Sequence, residues 1–225
     1  MRAQLSIVIP TLNSADELPE TLAWLMEGIN EGLVRELIIS DGGSTDACLR
    51  MADDVGAIVV RGASGRGGQL RRGADAAGGA WLLFLHADTH LPDDWTKMIA
   101  GHMQVSEKAA CFRLAFRARG FGAWFTAKWA NLRTGMGLPY GDQALLISRA
   151  LYDQVAGYPD IALMEDVAMA KALRGRIVTL PGTVTTGAGR YIKDGWFLRG
   201  ARNLSILLRY KLGASPDDLA RRYNR

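Results

Sequence analysis

The sequence predicts an α/β protein: a mixed, mostly parallel sheet flanked by helices, with an amphipathic helix near its C-terminal end. Three observations carry that prediction. Short apolar or β-branched runs alternate with helical stretches through residues 5–90, the pattern of βαβ units. Trp81-Leu82-Leu83-Phe84-Leu85 is uninterrupted apolar, as in a strand buried on both faces. Acidic residues then follow closely on two of these runs, at the strand ends where open α/β folds take their ligands.

Leu5 to Pro10 is the first strand, and Thr11-Leu12-Asn13 is its exit loop. Ser14-Ala15-Asp16-Glu17 reads as a capping box opening a helix through Trp24-Leu25. Leu37 to Ser40 is the second strand, and Asp41 to Asp46 leads into a helix ending near Gly56. Ala57 to Val60 is the third, before a Gly-rich loop and short helix over Gly62 to Gly79. The apolar run at Trp81 is the fourth and ends in His86-Ala87-Asp88-Thr89.

The second half is less regular. Helices are expected over Asp93 to Ser106, Phe121 to Arg133, Arg149 to Val155 and Glu165 to Leu173. Ala110 to Phe116 and Ile177 to Leu180 read as strands, and Met136 to Gln143 as a loop before the apolar run Ala144 to Ile147. A long helix over Asp194 to Leu212 should end at Gly213, with Pro216 as a stop.

Composition narrows the class. With 225 residues, one domain with a sizeable core is expected. A net charge of +4 suits an anionic small molecule or a membrane surface better than nucleic acid. Cys48 and Cys111 are too few and too far apart for a disulfide framework or a zinc site, and they read as buried thiols of a cytoplasmic protein. No secretory signal and no membrane-spanning run is expected.

Two acids at neighbouring strand ends suit a nucleotide. Asp88 could hold a hard divalent cation and leave coordination positions for phosphate oxygens, or it could cap the helix that follows. Asp41 could accept from a base, or form an Asx-turn with Gly42 and Gly43. The loop Gly62 to Gln69 fits neither a Walker loop nor a dinucleotide fingerprint, leaving Arg66, Arg71 and Arg72 as possible diphosphate contacts. Glu165-Asp166 could offer a general base or complement a helix dipole. His86, Asp88 and His90 alternate but leave the strand too soon for a metal trio, and His102 reads as an ordinary helix residue.

Together Val8-Ile9-Pro10-Thr11-Leu12-Asn13, Asp41-Gly42-Gly43-Ser44-Thr45-Asp46, His86-Ala87-Asp88 and Glu165-Asp166 resemble, in order and spacing, an inverting glycosyltransferase of family 2 with the GT-A fold. The variants around Leu85 to Thr89, Gly141 to Gln143 and Leu163 to Val167 resemble a compact bacterial subfamily labelled selenodomain- or arsenosugar-associated glycosyltransferase. The resemblance implies a catalytic domain over 1–193, its nucleotide half in 1–90 and acceptor half in 91–193, then a helix and tail over 194–225. Pro10, Thr11, Asn13, Asp41, Arg66, His86 and Ala87 would line the nucleotide site. Asp88 would hold Mg²⁺ or Mn²⁺ against the diphosphate. Asp166, or less favourably Glu165, would deprotonate the acceptor, and Gly141, Asp142 and Gln143 would shape the donor-sugar and acceptor side. The donor would be a nucleotide-sugar, with UDP favoured by the resemblance, and the acceptor an unidentified small metabolite or lipid-linked hydroxyl.

Two departures stand out. His86 replaces the first acid of the family's usual Asp-x-Asp, and Arg71 stands where Asn is common. Three rivals stay open: a sugar-1-phosphate nucleotidyltransferase, a non-catalytic nucleotide-sugar module, and donor hydrolysis without an acceptor. The first would want a Gly-rich loop after strand one, where Asn13-Ser14-Ala15-Asp16 stands. Intact Asp88 and Asp166 argue against the second. In the C-terminal helix, Phe197, Ala201, Leu204, Leu208 and Leu212 form an apolar stripe, with Arg199, Arg202, Arg209 and Lys211 as cations. The stripe either packs on the domain, the reading slightly favoured, or lies on a membrane surface through 194–212.

Overall fold

Side chains alternate across the strand Leu5–Thr11 (β1): Leu5, Ile7 and Ile9 enter one core and Val8 the other, as the period of two of a pleated strand requires. The computed structural model describes residues 3–139 and 141–223. In chain order it continues with α1 (Leu18–Asn30), β2 (Val34–Asp41), α2 (Cys48–Asp54), β3 (Ile58–Arg61), α3 (Arg66–Ala76) and β4 (Trp81–Phe84). Then come β5 (Thr89–His90), α4 (Trp95–Val105), β6 (Ala109–Phe116), α5 (Phe121–Gly135), β7 (Leu145–Ser148), α6 (Arg149–Gln154) and α7 (Glu165–Ala172). The chain closes with β8 (Ile177–Thr186), α8 (Gly189–Asp194), α9 (Trp196–Lys211) and α10 (Pro216–Tyr223).

The strands form one sheet in the order β3-β2-β1-β4-β7-β6-β8-β5. Pairs β1–β2, β1–β4, β2–β3 and β6–β8 are parallel, while β7 runs antiparallel to both β4 and β6 and β5 antiparallel to β8. The apolar run at Trp81 therefore lies between a parallel and an antiparallel neighbour, buried on both faces as its sequence requires. Helices α1, α2, α4 and α5 cover one face, with Trp95 and Phe112 among its fully buried side chains. Leu70 of α3, Tyr152 of α6 and Met169 of α7 cover the other. Cys48 and Cys111 are buried free thiols. No helix among the described residues is long and apolar enough to cross a membrane.

Several elements differ from expectation. The capping box does not form: α1 begins at Leu18, Ser14 Oγ accepts from the Leu12 N–H at 3.4 Å, and Ser14 offers Glu17 and Leu18 only its backbone oxygen. β8 extends to Thr186, beyond the expected Leu180, tolerating Pro181 at a register shift against β6. The expected helix over Asp194 to Leu212 is divided at Gly195, whose φ of 84° is left-handed. Pro216 opens a further helix, occupying a first-turn position where its missing N–H costs nothing. His102 is buried, with Nε2 2.7 Å from Lys108 O.

The C-terminal stripe does not pack on the domain. Arg199, Ile206 and Leu207 form the inward face of α9, and Trp196 meets Phe116 with ring centroids 5.1 Å apart. Phe197, Ala201, Leu204, Leu208 and Leu212 point outward and are exposed. Of the expected cations, Arg199 is not on the solvated back: it is buried, bonded to Asp194 at 3.0 Å and stacked over Tyr223.

Candidate active site

From β1 the chain steps outward to β2 and β3, then returns to place β4 on the other side of β1. Such a reversal opens a crevice at the carboxyl ends of the strands on either side of it. Thr11 ends β1, Asp41 ends β2, and His86-Ala87-Asp88 follow β4.

Asp41 is buried, and all four of its acceptor directions are used. Oδ1 accepts from Thr11 Oγ1 at 3.2 Å and Ser44 Oγ at 2.5 Å, and Oδ2 from the N–H groups of Gly43 at 2.8 Å and Ser44 at 2.9 Å. Burial raises its pKa, but the bonds from Ser44, Gly43 and Thr11 outweigh that and hold it below the ordinary carboxylate value. The Asx-turn alternative is thus the one formed. Asn13, at a left-handed φ of 51°, accepts from Thr45 N–H at 2.9 Å and donates its own N–H to Ser44 Oγ at 2.8 Å. Pro10 is half-buried beside Ser40.

Behind this wall Gln69, missed as a functional residue in the sequence, joins the two strand ends. Its Nε2 donates to Thr11 O at 2.7 Å and Ser40 O at 2.9 Å, while Oε1 accepts from Gly65 N–H. The Gly-rich segment serves this docking: a Cβ on Gly67 would stand 2.3 Å from Pro159 O. Arg71 and Arg72 do not face a diphosphate, because Arg71 donates to Tyr158 O and Arg72 to Ala63 O. Arg66 alone of the three meets an acid of the cluster, with Nε 3.7 Å from Glu165 Oε1.

Asp88 is held by β8. Its Oδ1 lies 3.3 Å from Thr186 Oγ1 and 3.4 Å from Thr89 Oγ1, and its backbone oxygen accepts from Gly187 N–H and Arg117. Among the described residues no hydrogen-bond donor engages Oδ2. Asp88 does not cap α4, whose N-terminal flank is Asp94. Ala87 is buried and its oxygen accepts from Thr21 Oγ1 at 2.6 Å. Burial, and then the nearby charge of Arg66, push the His86 imidazole down to about 3, so it is neutral at physiological pH. His90 turns away: it stacks on Trp24 and sits 3.6 Å from Glu20, so the His86, Asp88 and His90 trio is not assembled.

A third segment arrives from the second half. The backbone N–H of Gly141 donates to Asp166 Oδ2 at 3.1 Å, and Val167 N–H to Asp166 Oδ1 at 2.7 Å. A Cβ on Gly141 would lie 3.0 Å from His86 Nε2, so the same glycine packs against the imidazole. Glu165 is buried with Oε1 3.7 Å from Arg66 Nε; burial, then the charge of Asp166, raise it to about 7 against the opposing pull of Arg66. Asp142 is likewise raised to about 7 by burial and then by Asp166, and its buried Oδ1 has no hydrogen-bond partner among the described residues. Gln143 is fully buried, donating to Phe112 O at 3.0 Å and accepting from Thr134 Oγ1 at 2.8 Å, so it supports the Gly141–Asp142 turn from behind. Tyr140, in the same loop, lies outside the described residues.

The fold thus brings Arg66, His86, Asp88, Gly141, Asp142, Glu165 and Asp166 into one cluster, with Pro10, Thr11, Asn13 and Asp41 forming a wall at the ends of β1 and β2. The charge of Arg190, in the first turn of α8, also bears on His86.

A model of the family described as Glycosyl transferase family 2 matches residues 6–157, more than half of the chain. Over 93 residues the chain is 39% identical to the PGL/p-HBAD biosynthesis glycosyltransferase of Mycobacterium tuberculosis (strain ATCC 25177 / H37Ra), covering 38% of this chain and 36% of that protein. The alignment therefore spans about a third of this curated relative's length. S. aureus TarS 1-349 in complex with UDP-GlcNAc superposes with a TM-score of 0.65 at 17% identity, over 82% of this chain and 58% of TarS. The mannosyltransferase PcManGT from Pyrobaculum calidifontis, in complex with GDP-Man and Mn²⁺, gives 0.66 at 16% identity, over 96% of this chain and 67% of its own. These likenesses establish the GT-A fold.

Proposed function

The chain belongs to glycosyl transferase family 2, and we propose that it transfers a sugar from a nucleotide-diphosphate donor, a UDP-sugar, to a hydroxyl acceptor with inversion at the anomeric carbon. One observation carries the reading: Gly141 touches the His86 ring on one side and bonds Asp166 on the other. A candidate base thereby lies beside the strand end that bears Asp88.

Asp166 takes the proton of the acceptor hydroxyl as that oxygen attacks, and its partial exposure suits it to the task. Glu165 is buried and turned to Arg66, so it positions the guanidinium for the donor phosphates. Thr11, Asn13 and Asp41 spend their side chains on one another's loops and present a rigid wall with Pro10 to the base. Gly141 and Asp142 border the sugar, and Gln143 fixes them.

A divalent cation, Mg²⁺ or Mn²⁺, fits the residues present. Asp88 offers one carboxylate oxygen without a bonded donor, and His86 is a neutral imidazole rather than a competing cation. Such ions are commonly held by one or two carboxylates together with substrate phosphates. When bound, the ion would offset charge on the diphosphate leaving group.

The test is incubation with UDP- and GDP-sugars labelled in the sugar, with Mn²⁺ or Mg²⁺, against lipid extract and small hydroxylated metabolites. Labelled product of inverted configuration from a UDP-sugar supports the reading. Pyrophosphate formation, hydrolysis alone, or binding without turnover across the panel would replace it with one of the three rival activities.

A further inference from the structure

We propose that the open faces of α5 and α9 together form one docking surface for an anionic lipid bilayer. This surface is independent of the catalytic reading. On α5, Phe121, Trp124, Phe125, Trp129, Leu132 and Met136 are exposed, Phe121 by 65% and Trp124 by 55%. On α9 the outward stripe exposes Phe197 by 65% and Leu208 by 52%. The two faces are continuous, because Phe125 meets Phe197 with ring centroids 6.3 Å apart and Phe121 with 5.9 Å. Contiguous apolar exposure of this kind marks an interaction site rather than ordinary surface.

Charge identifies the occupant. The sequences of α5, α8 and α9 contain a single acid, Asp194, and it is engaged by the buried Arg199. Arg119, Lys128, Lys193, Arg209 and Lys211 lie in or directly beside these helices in the chain and are all exposed, with Lys128 over the Trp124 ring at 4.8 Å. A second copy meeting this face about a two-fold axis would set like charges against like. Lipid phosphates instead neutralise the cations, while aromatic rings settle at headgroup depth and leucines reach the acyl boundary. In the chain, α8 joins this surface to β8, whose Thr186 bonds Asp88.

The whole chain is sedimented with vesicles of phosphatidylcholine alone and of phosphatidylcholine mixed with phosphatidylglycerol. The expected result is binding about tenfold or more tighter to the anionic vesicles, weakening as salt is raised. The pair Phe125→Ser and Phe197→Ser, and separately the pair Lys128→Glu and Arg209→Glu, should each lower that binding about tenfold or more. Val105→Ser, an exposed position on α4 outside the patch, should leave it unchanged, and circular dichroism confirms that each variant is folded. Equal binding to both vesicle types, or undiminished binding by both variant pairs, overturns the proposal. So does a dimer on sizing that the aromatic variants dissociate, in the absence of vesicle binding, which would make the occupant a second copy.

Discussion

Gly141 donates its backbone N–H to Asp166 Oδ2 at 3.1 Å while standing so close to His86 that a Cβ would lie 3.0 Å from Nε2. A single residue without a side chain thus brings the start of α7 to the end of β4. A side chain there would require the imidazole to give way by a few tenths of an ångström, while the Asp166 Cβ, 3.6 Å away, would be in ordinary contact.

Asp166→Asn is expected to keep nucleotide affinity but lower turnover roughly 10²-fold or more, the scale of losing a positioned base. Glu165→Gln should act differently, raising KM for the donor through a loosened Arg66. Steady-state kinetics on both variants check this. Near-normal turnover in Asp166→Asn with an inactive Glu165→Gln would move the base to Glu165.

Asp88→Ala should weaken UDP binding mainly when Mg²⁺ or Mn²⁺ is present. Gly187→Ala offers a second route to the same effect, because its Cβ would stand 3.0 Å from Asp88 Oδ2. Calorimetry with UDP, with and without metal and after chelation, reads both variants. Wild-type metal dependence in both would leave Asp88 a structural residue held by Thr186.

At Asp142 and Glu165 the contribution to stability without ligand should fall as pH rises from about 4 to about 7, the interval between the ordinary carboxylate value and their raised value, while His86, pushed down to about 3, works the other way over most of that range. Across that window the unfolded chain gives up the two carboxyl protons first, so at these two sites the native state binds more protons and loses ground with each pH unit. Asp142 alone contributes on the order of 2–4 kcal/mol. Asp142→Asn should therefore be more stable than wild type at pH 8, and its advantage should grow between pH 5 and pH 8, by urea denaturation. A difference between the two proteins that stays constant from pH 5 to pH 8 would exclude Asp142 as a source of pH dependence.

Gln69→Leu removes both donations to Thr11 O and Ser40 O and leaves buried carbonyls with fewer partners. The expected cost is about 1–3 kcal/mol in urea denaturation. Nucleotide affinity should drop as well, since the ends of β1 and β2 lose their tie. Full stability with unchanged affinity would show that the loop bonds of Asp41 hold the wall alone.

Local pattern was enough to find the strand at Trp81, the acid Asp88 beyond it, Asp41 closing β2 and the Glu165–Asp166 helix start. Each depends on side-chain period or on what immediately follows an apolar run, and both are properties of neighbouring residues. Tertiary structure decided what those residues touch. Thr186 reaches Asp88 across 98 positions and Gln69 reaches Thr11 across 58, separations at which no periodicity carries information. It also decided that Arg71 and Arg72 serve backbone carbonyls while Arg66 meets Glu165. An amphipathic helix has a stripe by sequence, but its rotation about its own axis is chosen by the partner it packs on. In α9 that partner takes Trp196, Arg199, Ile206 and Leu207, and so the stripe through Phe197 and Leu208 faces outward.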